Sequence, residues 1–134
     1  MIREATLKDK AACIALWNAA GLTRSWNDPV ADFIRALEQP QSTIFLAMRK
    51  DEVMGSAMVG DDGHRGWVYY VATHPDHRRQ GIAKKLMHTA EDWLQARGCL
   101  KLNLMIREGN ETVAAFYRKL GYEAEERTTM AKRL

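Results

Sequence analysis

The sequence predicts an α/β fold of the α+β type, in which a mixed, mainly antiparallel sheet is flanked by helices. Short apolar runs rich in aromatic and β-branched residues indicate strands, and segments with apolar residues at helical spacing lie before, between and after them. The order β-α-α-β-β-β-α-β-α-β is typical of such a layered domain. The chain has 134 residues, so we expect one domain spanning residues 1–134 with a core of its own.

Two helices are predicted near the N-terminus. Thr6 stands three residues before Asp9, a variant of the capping signature, so a helix is expected to begin here and to end at Gly21. The second helix begins at residues 27–29, Asn-Asp-Pro, because proline fits the first helical turn, and it stops at Gln39-Pro40. The expected apolar face of the first helix comprises Ala11, Ile14, Ala15, Leu16 and Trp17.

Six apolar runs predict strands. They lie at residues 2–5, 43–49, 53–60, 67–73, 100–106 and 128–134. The run 67–73, WVYYVAT, is rich in aromatic and β-branched residues and indicates a buried strand. A long helix from about residue 79 to residue 97 follows it, and a shorter helix from 111 to 120 precedes Gly121.

Composition excludes several classes of protein. Twenty basic and seventeen acidic residues give a net charge of +3, and the acidic residues are spread evenly, so we expect no nucleic-acid partner. No apolar run approaches the roughly 20 residues of a membrane span, and the N-terminus has no secretory apolar core. We therefore expect a soluble, cytoplasmic protein with no membrane partner. The two cysteines, Cys13 and Cys99, cannot form a disulfide scaffold and are expected to be buried or inert.

The segment from Val71 to Ala83 carries the most informative pattern. A buried strand ends, a short loop turns, and a helix begins at a glycine, so that unpaired N–H groups and a partial positive charge face the loop. Such a helix start favours phosphate. Gly81 has no Cβ, so a phosphate can approach the backbone closely, and Arg78 and Arg79 add charge and forked donors. The sequence of a Walker loop and the three spaced glycines of a dinucleotide-binding fingerprint are both absent.

The spacing Arg78-x-x-Gly81-x-Ala83 resembles motif A of the GCN5-related N-acetyltransferase (GNAT) superfamily. A second segment agrees with that resemblance, because Tyr117 follows Asn110 by seven positions and Gly121 comes shortly after it. The order of elements also matches, so the resemblance spans nearly the whole chain. Within the family, residues 26–29 and 62–66 are similar to those of the small bacterial branch related to RimI and YpeA.

The resemblance implies a single GNAT-like domain whose fourth and fifth strands splay apart to admit acetyl-CoA. The pantetheine amides would pair with the exposed strand edge, and the Val71 N–H would polarise the thioester oxygen. Tyr117 would protonate the leaving CoA thiolate, and Asn110 would contact the cofactor or serve only as a helix cap. The residues implied to bind acetyl-CoA are Val71, Ala72, Thr73, Arg78, Arg79, Gln80, Gly81, Ile82, Ala83, Lys84 and Asn110.

The implied reaction is transfer of an acetyl group to a primary amine by direct attack in a ternary complex. In many relatives a glutamate on the fourth strand is the base, but residues 67–73 include no carboxylate. The base is therefore open among Tyr69, Tyr70, Asp28, His64 and Glu108. A non-catalytic acyl-CoA sensor is the alternative function, and a nucleic-acid binder using the basic helix start is a third.

The resemblance also implies that the acceptor enters beside two loops. One loop contains Trp26, Asn27 and Asp28, and the other is the hairpin that contains His64. The sequence leaves open whether the acceptor is a small-molecule amine or a protein amine, and an exposed edge strand would permit a homodimer. His74 and His77 lack cysteine or acidic partners at metal-ligand spacing, so no metal is predicted.

Overall fold

A computed structural model describes all residues from 1 to 134. Backbone contacts divide the chain into two units, Met1–Leu104 and Met105–Leu134. The first unit contains β1 (Ile2–Glu4), α1 (Lys10–Ala19), α2 (Pro29–Glu38), β2 (Ser42–Arg49), β3 (Glu52–Asp61), β4 (Gly66–Thr73), α3 (Ile82–Ala96) and β5 (Leu102–Asn103), with short 3-10 helices at Leu7–Asp9 and Pro75–His77. The second unit contains α4 (Glu111–Lys119).

The five strands form one sheet in the order β1-β2-β3-β4-β5. The pairs from β1 to β4 are antiparallel, and β4 pairs with β5 in parallel. The predicted fold class, a mixed and mainly antiparallel sheet flanked by helices, is confirmed. None of the helices is both long and apolar enough to cross a bilayer.

Helices cover both faces of this sheet. Ser56 on β3 receives a hydrogen bond from Trp17 of α1, whereas its neighbour Gly55 lies against Ile82 of α3. Successive strand residues point to opposite faces, so α1 and α3 lie on opposite sides of the sheet. The core on the α1 side also includes Phe33 of α2 and Ile44 of β2.

A capping box at Thr6 begins the short 3-10 helix that leads into α1, and a side-chain cap begins α2. The Thr6 N–H donates to the Asp9 carboxylate at 2.8 Å, and Arg3 grips the same carboxylate with two bonds of 2.8 and 2.9 Å. The Asp28 carboxylate accepts from the Ala31 N–H at 3.1 Å at the start of α2. A capping side chain satisfies backbone donors that a helix start leaves free, which fixes the start of α2. α1 begins at Lys10, directly after the 3-10 helix, with no side-chain cap of its own.

Four expectations about elements are wrong. Ala11 and Ala15 are exposed, and the buried residues of α1 are Cys13, Leu16 and Trp17. Residues 100–106 contribute only a two-residue strand, and residues 128–134 form no strand and are exposed. The long helix begins at Ile82 rather than near residue 79.

Each of these differences has a physical cause. On α1 the small alanines stand on the outer side of the helix, and the larger side chains fill the core. In the segment 128–134 the large apolar side chains, Met130 and Leu134, are both exposed, so no apolar face is buried to hold a strand. Arg79 and Gly81 have φ angles of 63° and 75°, which a right-handed helix excludes.

Candidate functional site

The edge of β4 opens beyond its first two residues. β5 pairs with β4 only at Gly66↔Leu102 and Trp67↔Asn103, whereas β3 pairs with β4 along its length to Thr73. The predicted splay of the fourth and fifth strands is therefore present. From Val68 to Thr73, β4 has a strand neighbour on one side only, and backbone groups on the other side can receive an extended ligand.

The predicted strand residues lie on this open stretch. Val71 and Thr73 are partly buried, and Ala72 is 4% exposed and belongs to the core. The Ala72 side chain is therefore committed to packing, and only its backbone is available to a ligand.

A tight loop joins the end of β4 to α3. Arg79 and Gly81 both have left-handed φ angles, and the Gly81 position is the N-cap of α3 without any capping side chain. At the helix start, the Lys85 N–H donates to the Gly81 carbonyl at 3.1 Å. The N–H groups of Ile82, Ala83 and Lys84 precede that bond and have no partner within the helix, so they form a donor cluster suited to an anion.

The side chains around this loop are basic and exposed. Arg78, Arg79, Gln80 and Lys84 are all exposed, so three positive charges flank the donor cluster. A Cβ built on Gly81 meets no atom within 4 Å. Open space at the glycine and unpaired N–H groups beside it fit the approach of a phosphate. Ile82 is buried and fixes the helix start to the sheet.

A buried histidine anchors the same loop, which sequence reasoning missed. His77 is 7% exposed, and its Nε2 lies 2.7 Å from the Glu52 carboxylate at the start of β3. This hydrogen bond, with nearby positive charges, lowers the pKa of Glu52. The His74 N–H also donates to the Met54 carbonyl at 2.8 Å. Both contacts tie the loop to β3, and the only sequence signal for them is the His77 position itself.

β4 contains a bulge within the stretch that β5 leaves unpaired. Ser56 pairs with Ala72 and Met58 pairs with Tyr69, so Ala57 faces two residues of β4, Tyr70 and Val71. Tyr70 has a left-handed φ of 49°. An extra residue in one strand bends the strand and redirects the neighbouring backbone groups.

The Tyr70 hydroxyl donates to the Asp32 carboxylate of α2 at 2.6 Å. Burial and the Asp32 charge raise the pKa of Tyr70 well above its usual range. Asp32 was absent from the predicted candidates, because a carboxylate in the first turn of a helix is ordinarily a favourable helix-dipole residue. Tyr69 is 45% exposed and stacks with Trp67. Tyr70 is thus the candidate base whose side chain is hydrogen-bonded to a carboxylate, that of Asp32.

The predicted acceptor-side residues divide into two groups. Asn27 and Asp28 stand at the start of α2 with exposed Trp26 before them, and the Asp28 charge contributes to the raised pKa of Tyr70. His64 lies in the turn between β3 and β4, where the Asp62 carboxylate accepts from its N–H at 2.8 Å. No hydrogen bond or ion pair joins His64 to Asn27 or Asp28.

In the second unit, Asn110 and Tyr117 have separate local roles. The Asn110 side chain caps α4 by accepting from the Val113 N–H at 3.4 Å. Tyr117 is buried between edge-on contacts with Phe116 and Tyr122. Burial raises the pKa of its hydroxyl to about 12. The helix-cap interpretation of Asn110 is therefore realised, and the Tyr117 hydroxyl keeps its proton at neutral pH.

The chain also contains a cavity and two free cysteines. A cavity of about 430 Å³ is lined by Glu4, Pro40 and Arg97 among others, and by none of the predicted site residues. The chain shows no group of three metal-ligating side chains. Both cysteines are free, and burial raises the pKa of the Cys13 thiol to about 12, so it is a poor nucleophile.

The chain is similar to acetyltransferases of known sequence. The model of the acetyltransferase (GNAT) family matches residues 11–122. An acetyltransferase of Pectobacterium atrosepticum is 45% identical over 126 residues, covering 94% of this chain and 89% of the relative. Another, from Sodalis glossinidius, is 46% identical over 113 residues, covering 84% of this chain and 80% of the relative.

Solved structures have the same fold. The aminoglycoside acetyltransferase AAC(6')-Iy, in complex with a bisubstrate analogue of CoA and acetylneamine, aligns with a TM-score of 0.86 at 20% identity, covering 100% of this chain and 97% of that one. A protein described as a transcriptional regulator from Bacillus halodurans aligns with the same score at 22% identity, covering 99% of each chain. At these identities the likeness concerns the fold.

Proposed function

Because the chain belongs to the GNAT family of acetyltransferases, we propose that it transfers an acetyl group from acetyl-CoA to a primary amine. The observation that carries the proposal is the open edge of β4, which leads directly to the uncapped start of α3. A thioester with a diphosphate tail needs both features, a strand edge for its amides and a donor cluster for its phosphates.

The chain offers a distinct group for each part of the ligand. The backbone of Val71 and Thr73 on the open edge would pair with the pantetheine amides. The N–H groups of residues 81–84, with the exposed side chains of Arg78, Arg79 and Lys84, would hold the diphosphate. Ala72 and Ile82 would contribute backbone alone, because their side chains are buried. Asn110 would shape the helix start that it caps.

Catalysis would rest on positioning and on one donor at the thioester oxygen. A well-placed N–H at a developing oxyanion is worth about 3 kcal/mol, and holding two reactants together can supply about 7–11 kcal/mol. The Val71 N–H would be that donor. Tyr117 would donate a proton to the departing thiolate, since its hydroxyl is protonated at neutral pH. The amine would attack the thioester carbonyl directly, with no acyl-enzyme.

We extend the proposal to the finer predictions. Residues 1–134 would act as one acetyltransferase domain, since the family match from residue 11 to residue 122 includes parts of both units. Trp26, Asn27, Asp28 and His64 would lie on the acceptor side. The RimI/YpeA-like branch, a cytoplasmic location and a homodimer stay predictions.

The proposed reaction is tested by a screen of amine acceptors, with release of free thiol from acetyl-CoA as the signal. The panel holds amino acids, polyamines, aminoglycosides and peptides with free N-termini or lysines. We expect amine-dependent thiol release with at least one class. Binding of acetyl-CoA with no release across the panel would instead favour the acyl-CoA sensor, and the absence of binding would reject both.

A further inference from the structure

A buried chain of hydrogen bonds reaches the β4 bulge from α1. The Trp17 indole N–H donates to the Ser56 hydroxyl at 2.9 Å, and the Ser56 hydroxyl donates to the Tyr70 carbonyl at 2.8 Å. Trp17 and Ser56 are both 0% exposed. A serine in the middle of a buried strand is costly unless its hydroxyl is paired, and here both sides of that hydroxyl are used.

The bulge needs this partner. Tyr70 is the extra residue of β4, and its left-handed φ of 49° is strained for a residue with a Cβ. A bulge also removes the carbonyl of the extra residue from the regular ladder. The Ser56 hydroxyl satisfies that carbonyl, so the side chain of β3 replaces a backbone donor.

The Tyr70 side chain is held as well. Its ring stacks on Trp17 with centroids 3.9 Å apart and planes inclined by 16°. Its hydroxyl donates to Asp32 at 2.6 Å. Tyr70 is therefore held at its carbonyl, its ring and its hydroxyl. Several contacts of this kind allow a folded protein to keep a residue in a strained backbone conformation.

Fixing the Tyr70 carbonyl also fixes the direction of the next N–H. The peptide group is planar and trans, so the Val71 N–H points opposite to the Tyr70 carbonyl. That carbonyl points to Ser56 on β3, and the Val71 N–H therefore points away from β3. This is the side on which β5 leaves β4 unpaired.

We propose that Ser56, oriented by Trp17, is a positioning residue for acetyl transfer, because it holds the Tyr70–Val71 peptide with its N–H directed into the open edge. The inference rests on the proposed function, in which that N–H meets the thioester oxygen. Ser56 itself touches no reacting atom.

The test compares Ser56→Ala with Ser42→Ala. Each variant removes a hydroxyl that donates to a carbonyl at 2.8 Å, at Tyr70 in the first case and at Ala36 in the second. We expect Ser56→Ala to lower kcat by about 10- to 100-fold, part of the loss known for deleting an oxyanion donor. The KM for acetyl-CoA should change little. Ser42→Ala should retain the wild-type kcat.

Two further variants separate positioning from folding. Ser56→Cys keeps a weak donor at the same place and should recover part of kcat. Trp17→Phe keeps an aromatic ring but removes the indole N–H, and should lower kcat less than Ser56→Ala. Acetyl-CoA binding by calorimetry shows that each variant is folded. A folded Ser56→Ala variant with the wild-type kcat would overturn the inference.

An amide measurement distinguishes failure of the inference from failure of the proposed function. In labelled protein without ligand, the Val71 amide resonance should move in Ser56→Ala more than in Ser42→Ala. If the wild type releases no thiol with any amine, the proposed function fails. If the Val71 amide resonance is the same in Ser56→Ala and wild type, the positioning inference fails, whatever the activity.

Discussion

At the scale of single residues, Tyr117 combines a buried ring with a polar hydroxyl. Its ring contacts Phe116 and Tyr122 edge-on, and burial raises its pKa to about 12. A group with that pKa is almost entirely protonated at neutral pH. The hydroxyl therefore carries the proton that a general acid needs, and it cannot serve as the base that accepts a proton from the amine.

The Tyr117 hydroxyl is tested by Tyr117→Phe, which preserves the ring and its contacts. We expect kcat to fall by about 100-fold or more, the usual contribution of a general acid. The KM for acetyl-CoA should be nearly unchanged. In the wild type, Tyr117 itself should cause no loss of rate below about pH 11, because its pKa is about 12. Steady-state kinetics across pH measure both effects.

The matched control is Tyr122→Phe, which removes the same atom from the ring that contacts Tyr117. We expect it to retain most of the activity. Equal rates for Tyr117→Phe and the wild type would remove Tyr117 as the acid and leave the thiolate to be protonated by solvent.

The role of a residue could be predicted from the sequence where it depends on neighbouring positions, as in helix capping. Roles that depend on a partner far away in the sequence could not be predicted. Asn110 and Asp28 cap helices as their positions before helical segments predict. Nothing in the local sequence predicts the burial of His77, whose Nε2 lies 2.7 Å from the carboxylate of Glu52, 25 positions earlier. Asp32 gained significance only through Tyr70, 38 positions later.

At the scale of elements, the packing of α3 on the sheet depends on two glycines. A Cβ on Gly66 would stand 2.4 Å from Leu94, and a Cβ on Gly55 would stand 2.8 Å from both the Ala72 carbonyl and Ile82. These distances are shorter than nonbonded contacts permit. The glycines therefore allow α3 to lie close against β3 and β4, and with it the helix start that bears the donor cluster.

The Gly55 contact is tested by Gly55→Ala. The added methyl must displace a backbone carbonyl and the first residue of α3, so we expect a loss of about 1–3 kcal/mol in the free energy of unfolding. Because the Ile82 N–H belongs to the donor cluster, the Kd for acetyl-CoA should rise as well. Urea unfolding measures the first effect and calorimetry the second.

Gly60→Ala on the same strand provides the control, since its nearest atom would be the Ser42 Cβ at 3.6 Å, an ordinary contact. We expect its stability to lie within about 0.5 kcal/mol of the wild type. If Gly55→Ala and Gly60→Ala were equally stable, close packing at Gly55 would not position α3.

Elements with strong local signals were predicted well, and those defined by pairing were not. β2, β3 and β4 follow their apolar runs to within about a residue, and Pro29 begins α2 as expected. The length of β5 depends on how many of its residues lie within hydrogen-bonding distance of β4. The alternating run 100–106 does not contain that information, so the sequence predicted a longer strand. The bulge at Tyr70 could not be predicted either, because it is defined by the residues of β3 that pair with β4.

At the scale of the whole molecule, the net charge of +3 is small, but the charged residues are unevenly distributed. Arg78, Arg79 and Lys84 surround the helix start, whereas Asp28 and Asp32 stand near Tyr70. A diphosphate and an ammonium group would therefore meet opposite charges at different parts of the first unit. Overall composition could not predict this separation, because it depends on the contact between Asp32 of α2 and Tyr70 of β4.

Acetyl-CoA binding should stabilise the whole chain through linkage, and Arg79→Glu should reduce that effect. A ligand at 100 times its Kd adds about 2.7 kcal/mol, which for a chain of this size is a rise of roughly 10 °C in Tm. Reversing the charge at an exposed residue beside the donor cluster should raise the Kd about tenfold. At the same ligand concentration about half of the rise in Tm would be lost.

The control is Arg35→Glu, the same charge reversal at an exposed position of α2, which should keep the wild-type rise in Tm. Added salt should narrow the difference between Arg79→Glu and the wild type, because counterions screen an exposed charge. An equal rise in Tm for both variants would show that Arg79 does not meet the diphosphate. No rise in the wild type at millimolar acetyl-CoA would contradict a ligand site at the start of α3.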